Sequence, residues 1–268
     1  MCKIGLITGN LSDSREEILE IVKHYNSYNS HGVGVFAFNP ETGENVLYKS
    51  VDKLADLPFS LKGYSAMVFH TRISTNEISL TNTQPLLDYN VVKDSFSRSK
   101  LIKDVEFTRL VAHNGVVSER LSQKELRRVD YRDELEAEES LKYNRHFASK
   151  YLGFWDSQPR DPLFNHDRKY GYSTNDSELF IVKYDTSLKK TAEKLIGQMN
   201  VIMVNREVKD SRVAYKVEMH ATEPFYKIVD EKKKTKYIIQ TIEDGVINVF
   251  NRSVLIRKLD WTDCIFKT

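Results

Sequence analysis

Residues 3–8 form a short apolar run that Gly9-Asn10 closes with turn chemistry, which predicts a strand. Ser12 or Ser14 can then cap a helix whose apolar positions Ile18, Ile21, Val22 and Tyr25 recur at helical spacing. Residues 32–38 and 44–48, separated by Asn39-Pro40-Glu41-Thr42-Gly43, read as a hairpin, and residues 65–70 as a buried strand. From 75 to 104 the chain is polar with little periodicity beyond Pro85-Leu86-Leu87, which predicts loop with at most one short helix. Residues 107–112 read as a strand followed by a turn at Asn114-Gly115.

Residues 118–150 are dense in Glu, Arg and Lys; a helix is predicted over about 132–151, with Leu135, Leu141 and Phe147 as a thin apolar stripe. Residues 155–172 read as irregular. Ser173 or Asn175 then caps a helix carrying Leu179, Phe180 and Val182, and a second helical stretch covers about 188–196. Residues 201–205, 213–219, 237–242 and 246–250 alternate as strands, with Asp244-Gly245 as a hairpin turn between the last two. No repeat, low-complexity tract or linker divides the chain. Hairpin-connected strands on both sides of paired helices predict a layered α+β domain, not a doubly wound parallel sheet.

The 268 residues carry 40 Lys+Arg against 38 Asp+Glu, a formal charge of +2 that offers phosphate no general attraction, so direct nucleic-acid binding is not predicted. The longest apolar runs, such as 66–69 and 201–204, fall far short of the roughly 20 residues a membrane helix needs. The first residues lack a secretory h-region, so cytoplasmic residence is expected. Cys2 and Cys264, the only cysteines, allow no disulfide framework. No metal-ligand spacing or Walker loop occurs, and Gly32-Val33-Gly34 is followed by a strand pattern with no third Gly, so neither metal nor cofactor is implied.

Cys2 is the first residue with legible chemistry. Removal of Met1 would place a thiol of pKa about 8.5 and an α-amino group of pKa about 7.7 to 8.0 on one residue, so that one can take the proton from the other. The bland alternative is an ordinary strand residue. Three further segments matter: His70-Thr71-Arg72-Ile73-Ser74-Thr75, His113-Asn114-Gly115, and Asp176-Ser177-Glu178 at a helix start. Taken singly, Arg72 reads as a surface salt-bridge partner, Asn114-Gly115 as a hairpin turn, and Asp176 as a helix N-terminal acid. In this order, with Cys2 in front and Asn82-Thr83-Gln84-Pro85 between the second and third, the set resembles the class II glutamine amidotransferases, an N-terminal-nucleophile hydrolase family.

The resemblance implies a four-layer αββα sandwich over residues 2–268, with a charged insertion at about 118–172 and a hairpin-rich C-terminal extension at about 206–268. It implies that Cys2 attacks the side-chain amide of L-glutamine, while the Asn114 amide and the Gly115 N–H form the oxyanion hole. Arg72 would hold the α-carboxylate through its planar guanidinium and Asp176 the α-ammonium, with Ser74-Thr75 closing over the substrate. Thioester hydrolysis would give glutamate, and the ammonia would pass to a separate synthetase acting in trans. His70 and His113 read as structural strand-end residues. Ile73 stands where many relatives carry Trp, and 60 residues (116 to 175) separate Gly115 from Asp176, more than in compact relatives. Two other readings stay open: an amidohydrolase acting on a γ-glutamyl or other small amide, and a non-catalytic interaction module on the same fold.

Overall fold

Two antiparallel sheets carry the chain. The structure, a computed structural model, describes residues 2–73, 78–80, 82–88, 97–119, 177–210, 212–260 and 264–267. The elements in order are β1 (Lys3–Gly9), α1 (Arg15–Tyr28), β2 (Val33–Phe38), β3 (Asn45–Ser50), β4 (Ala66–Thr71), β5 (Leu86–Leu87), β6 (Ser99–Lys103), β7 (Arg109–Glu119), α2 (Glu178–Val182) and α3 (Leu188–Glu193). They continue as β8 (Leu195–Lys209), β9 (Arg212–Ala221), β10 (Phe225–Asp230), β11 (Thr235–Ile239), α4 (Asp244–Val249), β12 (Leu255–Leu259) and β13 (Cys264–Lys267). One sheet has the order β12-β10-β11-β1-β4-β2-β3-β6, the other β13-β9-β8-β7-β5. The architecture is α+β, as predicted, and no helix among the described residues is long and apolar enough to cross a membrane.

The strand period of two divides the apolar residues between the faces of each sheet. Ile7, Val35, Met67, Phe69, Tyr237 and Ile239 join Ile18, Ile21, Val22 and Tyr25 of α1 and Val246 of α4 in one core. Ile4, Leu6, Phe36, Phe38 and Val68 meet Leu110, Ala112, Ile202, Val204, Tyr215 and Val217 of the second sheet in another. The other face of that sheet, with Val111, Val201 and Met203, packs on Leu179 and Phe180 of α2 and Leu188 of α3. Helix α1 forms where predicted, but Ser14 occupies the N-cap position without capping and its hydroxyl bonds the Thr235 hydroxyl at 2.7 Å. A cap is worth about 1 kcal/mol. Four fully buried apolar side chains, at about 1.5 to 3 kcal/mol each, outweigh it.

Several expectations are corrected. Residues 99–103 were expected in a loop but form β6, an edge strand whose lysines hide its period and whose register comes from β3. There is no turn at Asn114-Gly115: β7 runs through it to Glu119, paired with β8 throughout. Of residues 246–250, expected as a strand, 246–249 lie in α4 and Phe250 is its C-cap, because Val246, Val249 and Phe250 pack on the α1 core at helical spacing. Gly245 serves close helix packing there; a Cβ on it would lie 2.3 Å from the His24 ring. Helix α2 begins at Glu178 after Ser177, and α3 stops at Glu193 because Leu195 already belongs to β8. Strands β10, β12 and β13 escaped sequence reading. Within the stretch of about 206–268, expected as a hairpin-rich C-terminal extension, the described residues supply strands to both sheets, and β11 lies directly against β1. The helix predicted over 132–151, the irregular stretch 155–172, the caps Ser173 and Asn175, and most of the 118–172 insertion lie outside the described residues.

Candidate active site

Strand register brings the first two motifs together. Lys3 pairs with Thr71 across β1 and β4, which sets Cys2 opposite Arg72 one step beyond. The Cys2 thiol is partly exposed and donates toward the Ile73 carbonyl at 3.7 Å. The Arg72 N–H donates to the Gly32 carbonyl at 2.7 Å, and its carbonyl accepts from the His31 N–H at 3.0 Å. At 5% exposure Arg72 is no surface salt-bridge residue. Its guanidinium keeps its charge when buried, and its fork geometry suits a carboxylate.

The next row inward pairs Ile4 with His70, and the Gln240 N–H donates to the Ile4 carbonyl at 3.2 Å. His70 is fully buried. Burial first, then the Arg72 charge, hold its pKa well below the ordinary value, so it is neutral and unsuited to taking a proton from Cys2.

From the facing sheet, Asn114 on β7 donates from Nδ2 to Gln240 Oε1 at 2.7 Å. Asn114 has the strand parity of Leu110 and Ala112, which face the first sheet, and strands β1 and β4 lie against β7. Gly115 has φ +141°, and a Cβ there would lie 1.9 Å from the Gln198 carbonyl oxygen, so only glycine fits.

His113, of opposite parity, faces α2. Its N–H donates to Gln84 Oε1 at 2.6 Å, Gln84 Nε2 donates to the Ser177 hydroxyl at 2.8 Å, and that hydroxyl lies 2.9 Å from His113 Nδ1. The Ser177 hydroxyl, which accepts from Gln84, ties Nδ1 of the ring, while Nε2 lies 3.4 Å from the Gln198 carbonyl. Three motif segments distant in sequence thus meet in one triangle. Burial holds the His113 pKa down at about 4.

The stability consequence of that depressed pKa has a definite sign. In the unfolded chain His113 gains its proton near 6.5, in the folded protein only near 4, so its contribution is complete above pH 6.5 and lost as pH falls through that interval. The loss is about 3 kcal/mol, and His70 adds to it in the same direction. Urea midpoints between pH 7 and pH 4.5 should fall steeply for the wild type and less steeply for His113→Gln; parallel slopes would refute the assignment.

The structure therefore brings Cys2, Arg72, Asn114 and Gly115 to one end of the seam between the sheets. Asp176 and Thr75 lie outside the described residues, although Ser177, next to Asp176, is anchored by the triangle. Sequence reading missed Gln240, Glu223 and Asn200, which carry no local motif. Among the described residues no group of three or more His, Cys, Asp or Glu side chains is placed to hold a metal ion. No family model matches the chain, and no curated protein matches it.

Proposed function

We propose that the chain is the glutaminase subunit of a class II glutamine amidotransferase, acting in the cytoplasm. The observation that carries the reading is the placement of Cys2 opposite the buried Arg72, at the seam end where Asn114 enters from the facing sheet. Three apolar cores, helix on sheet, sheet on sheet and sheet on helix, support the αββα sandwich of that family.

In this mechanism Arg72 binds the glutamine α-carboxylate and Asp176 the α-ammonium, and Thr75 belongs to the loop that covers the substrate. The Cys2 α-amino group takes the thiol proton as sulfur attacks the amide carbon. The oxyanion is held by the Asn114 amide and the Gly115 N–H. Collapse breaks the C–N bond, with the α-ammonium returning a proton to the departing ammonia, and leaves a thioester on Cys2. Water, deprotonated by the same amine, then releases glutamate. The ammonia passes to a separate synthetase.

Intact-mass spectrometry before and after incubation with a glutamine-mimicking diazo-ketone tests the reading. The expected result is loss of Met1 and a single adduct mapped to Cys2, together with ammonia release from glutamine. Processed protein that stays unlabelled and inert toward glutamine overturns it.

A further inference from the structure

Asn114 ends a hydrogen-bonded chain that the motifs do not contain. Gln240, 2% exposed, is fixed on the nucleophile strand by its bond to the Ile4 carbonyl, and its side chain crosses the seam to Asn114. Its Nε2 donates to Glu223 Oε2 at 3.3 Å. Glu223 is clasped in turn by Asn200: the Glu223 N–H donates to Asn200 Oδ1 at 3.0 Å, and Asn200 Nδ2 donates to the Glu223 carbonyl at 2.9 Å. Asn200 pairs with Asn114 in the β7–β8 ladder, which closes the ring.

This ring settles the orientation of each amide. A carboxylate only accepts, so Gln240 must turn its nitrogen to Glu223 and its oxygen to Asn114. Asn114 must then turn its nitrogen inward, with one N–H engaged by Gln240 and the other remaining for an oxyanion. A flipped Asn114 would offer an oxygen, which repels an oxyanion. We propose that Gln240 and Glu223 are positioning residues that hold the Asn114 amide as a donor and fix its place relative to the Cys2 strand; this rests on the glutaminase reading above.

The test is the kcat and KM of glutamine hydrolysis for Gln240→Leu, Glu223→Gln, Asn114→Ala and the Asn114→Ala/Gln240→Leu pair, each with its melting temperature. Gln240→Leu should lose about 10- to 100-fold in kcat, a part of what removing an oxyanion donor costs, with KM almost unchanged. Because Gln240 acts through Asn114, the pair should be no slower than Asn114→Ala alone, whereas independent structural damage would multiply. Glu223→Gln keeps the shape and removes only the acceptor-only charge; a fall of about 3- to 10-fold in kcat is expected, again a fraction of a donor's effect. An active wild type with kcat unchanged in folded Gln240→Leu, or losses that multiply in the pair, overturns the relay alone. Should Gln240→Leu fail to fold, unchanged kcat in Glu223→Gln overturns it. A wild type that neither labels at Cys2 nor releases ammonia overturns the glutaminase reading and the relay together.

Discussion

Replacing Cys2 by Ala is expected to abolish ammonia release from glutamine while leaving the melting transition almost where it is. The two halves of this expectation have separate physical grounds. Cys2 lies one residue before β1, is partly exposed and belongs to none of the three apolar cores, so its thiol adds little to stability. Its bond to the Ile73 carbonyl, at 3.7 Å, is a weak one. In the proposed chemistry, however, the sulfur is the atom that becomes bonded to the substrate, and the α-amino group of the variant has no nucleophile left to activate. Residual turnover should not exceed what the oxyanion donors confer on water, and no diazo-ketone adduct should form. A Cys2→Ala protein that still released ammonia at the wild-type rate would sink the mechanism, because the thioester is formed on the Cys2 sulfur.

What could be read from the chain in advance divides along the range of the interaction. Strand β1, helix α1 and the β2–β3 hairpin were legible because their periodicity and turn residues are local and their neighbours lie close in sequence. Asn114-Gly115 and Asp244-Gly245 misled for the same local reason. Both dipeptides favour turns in isolation, yet β8 holds the first extended along an unbroken ladder, and α1 requires the second to be small. Four of the proposed site residues, Cys2, Arg72, Asn114 and Gly115, could be picked by residue type and order, since the chemistry dictates the side chains. Gln240 could not, because its tie to Asn114 spans 126 residues and a lone Gln has no motif. The burial of Arg72 was likewise invisible: a single Arg after a strand has no pattern that separates the seam from the surface.

Asn114→Ala should lower kcat by about 10²- to 10³-fold, equivalent to about 2.7 to 4 kcal/mol of barrier, with little change in KM. The split between the two constants follows from where charge develops. Glutamine arrives with a neutral side-chain amide, and its oxygen becomes an anion only as Cys2 attacks, so a donor aimed at that oxygen acts mainly in the transition state. The arrangement here strengthens the effect, since Asn114 is 6% exposed and water cannot readily replace the missing N–H. The same variant leaves Gln240 Oε1 without its donor, at a cost of about 1 to 3 kcal/mol in stability, so the melting temperature should fall while the fold persists. Steady-state ammonia assays give kcat and KM, and single-turnover thioester formation shows whether the slow step is the attack itself. A loss confined to KM, or a kcat within threefold of the wild type, would remove Asn114 from the oxyanion hole and leave it only as the residue that ties β7 to the strand end at Gln240.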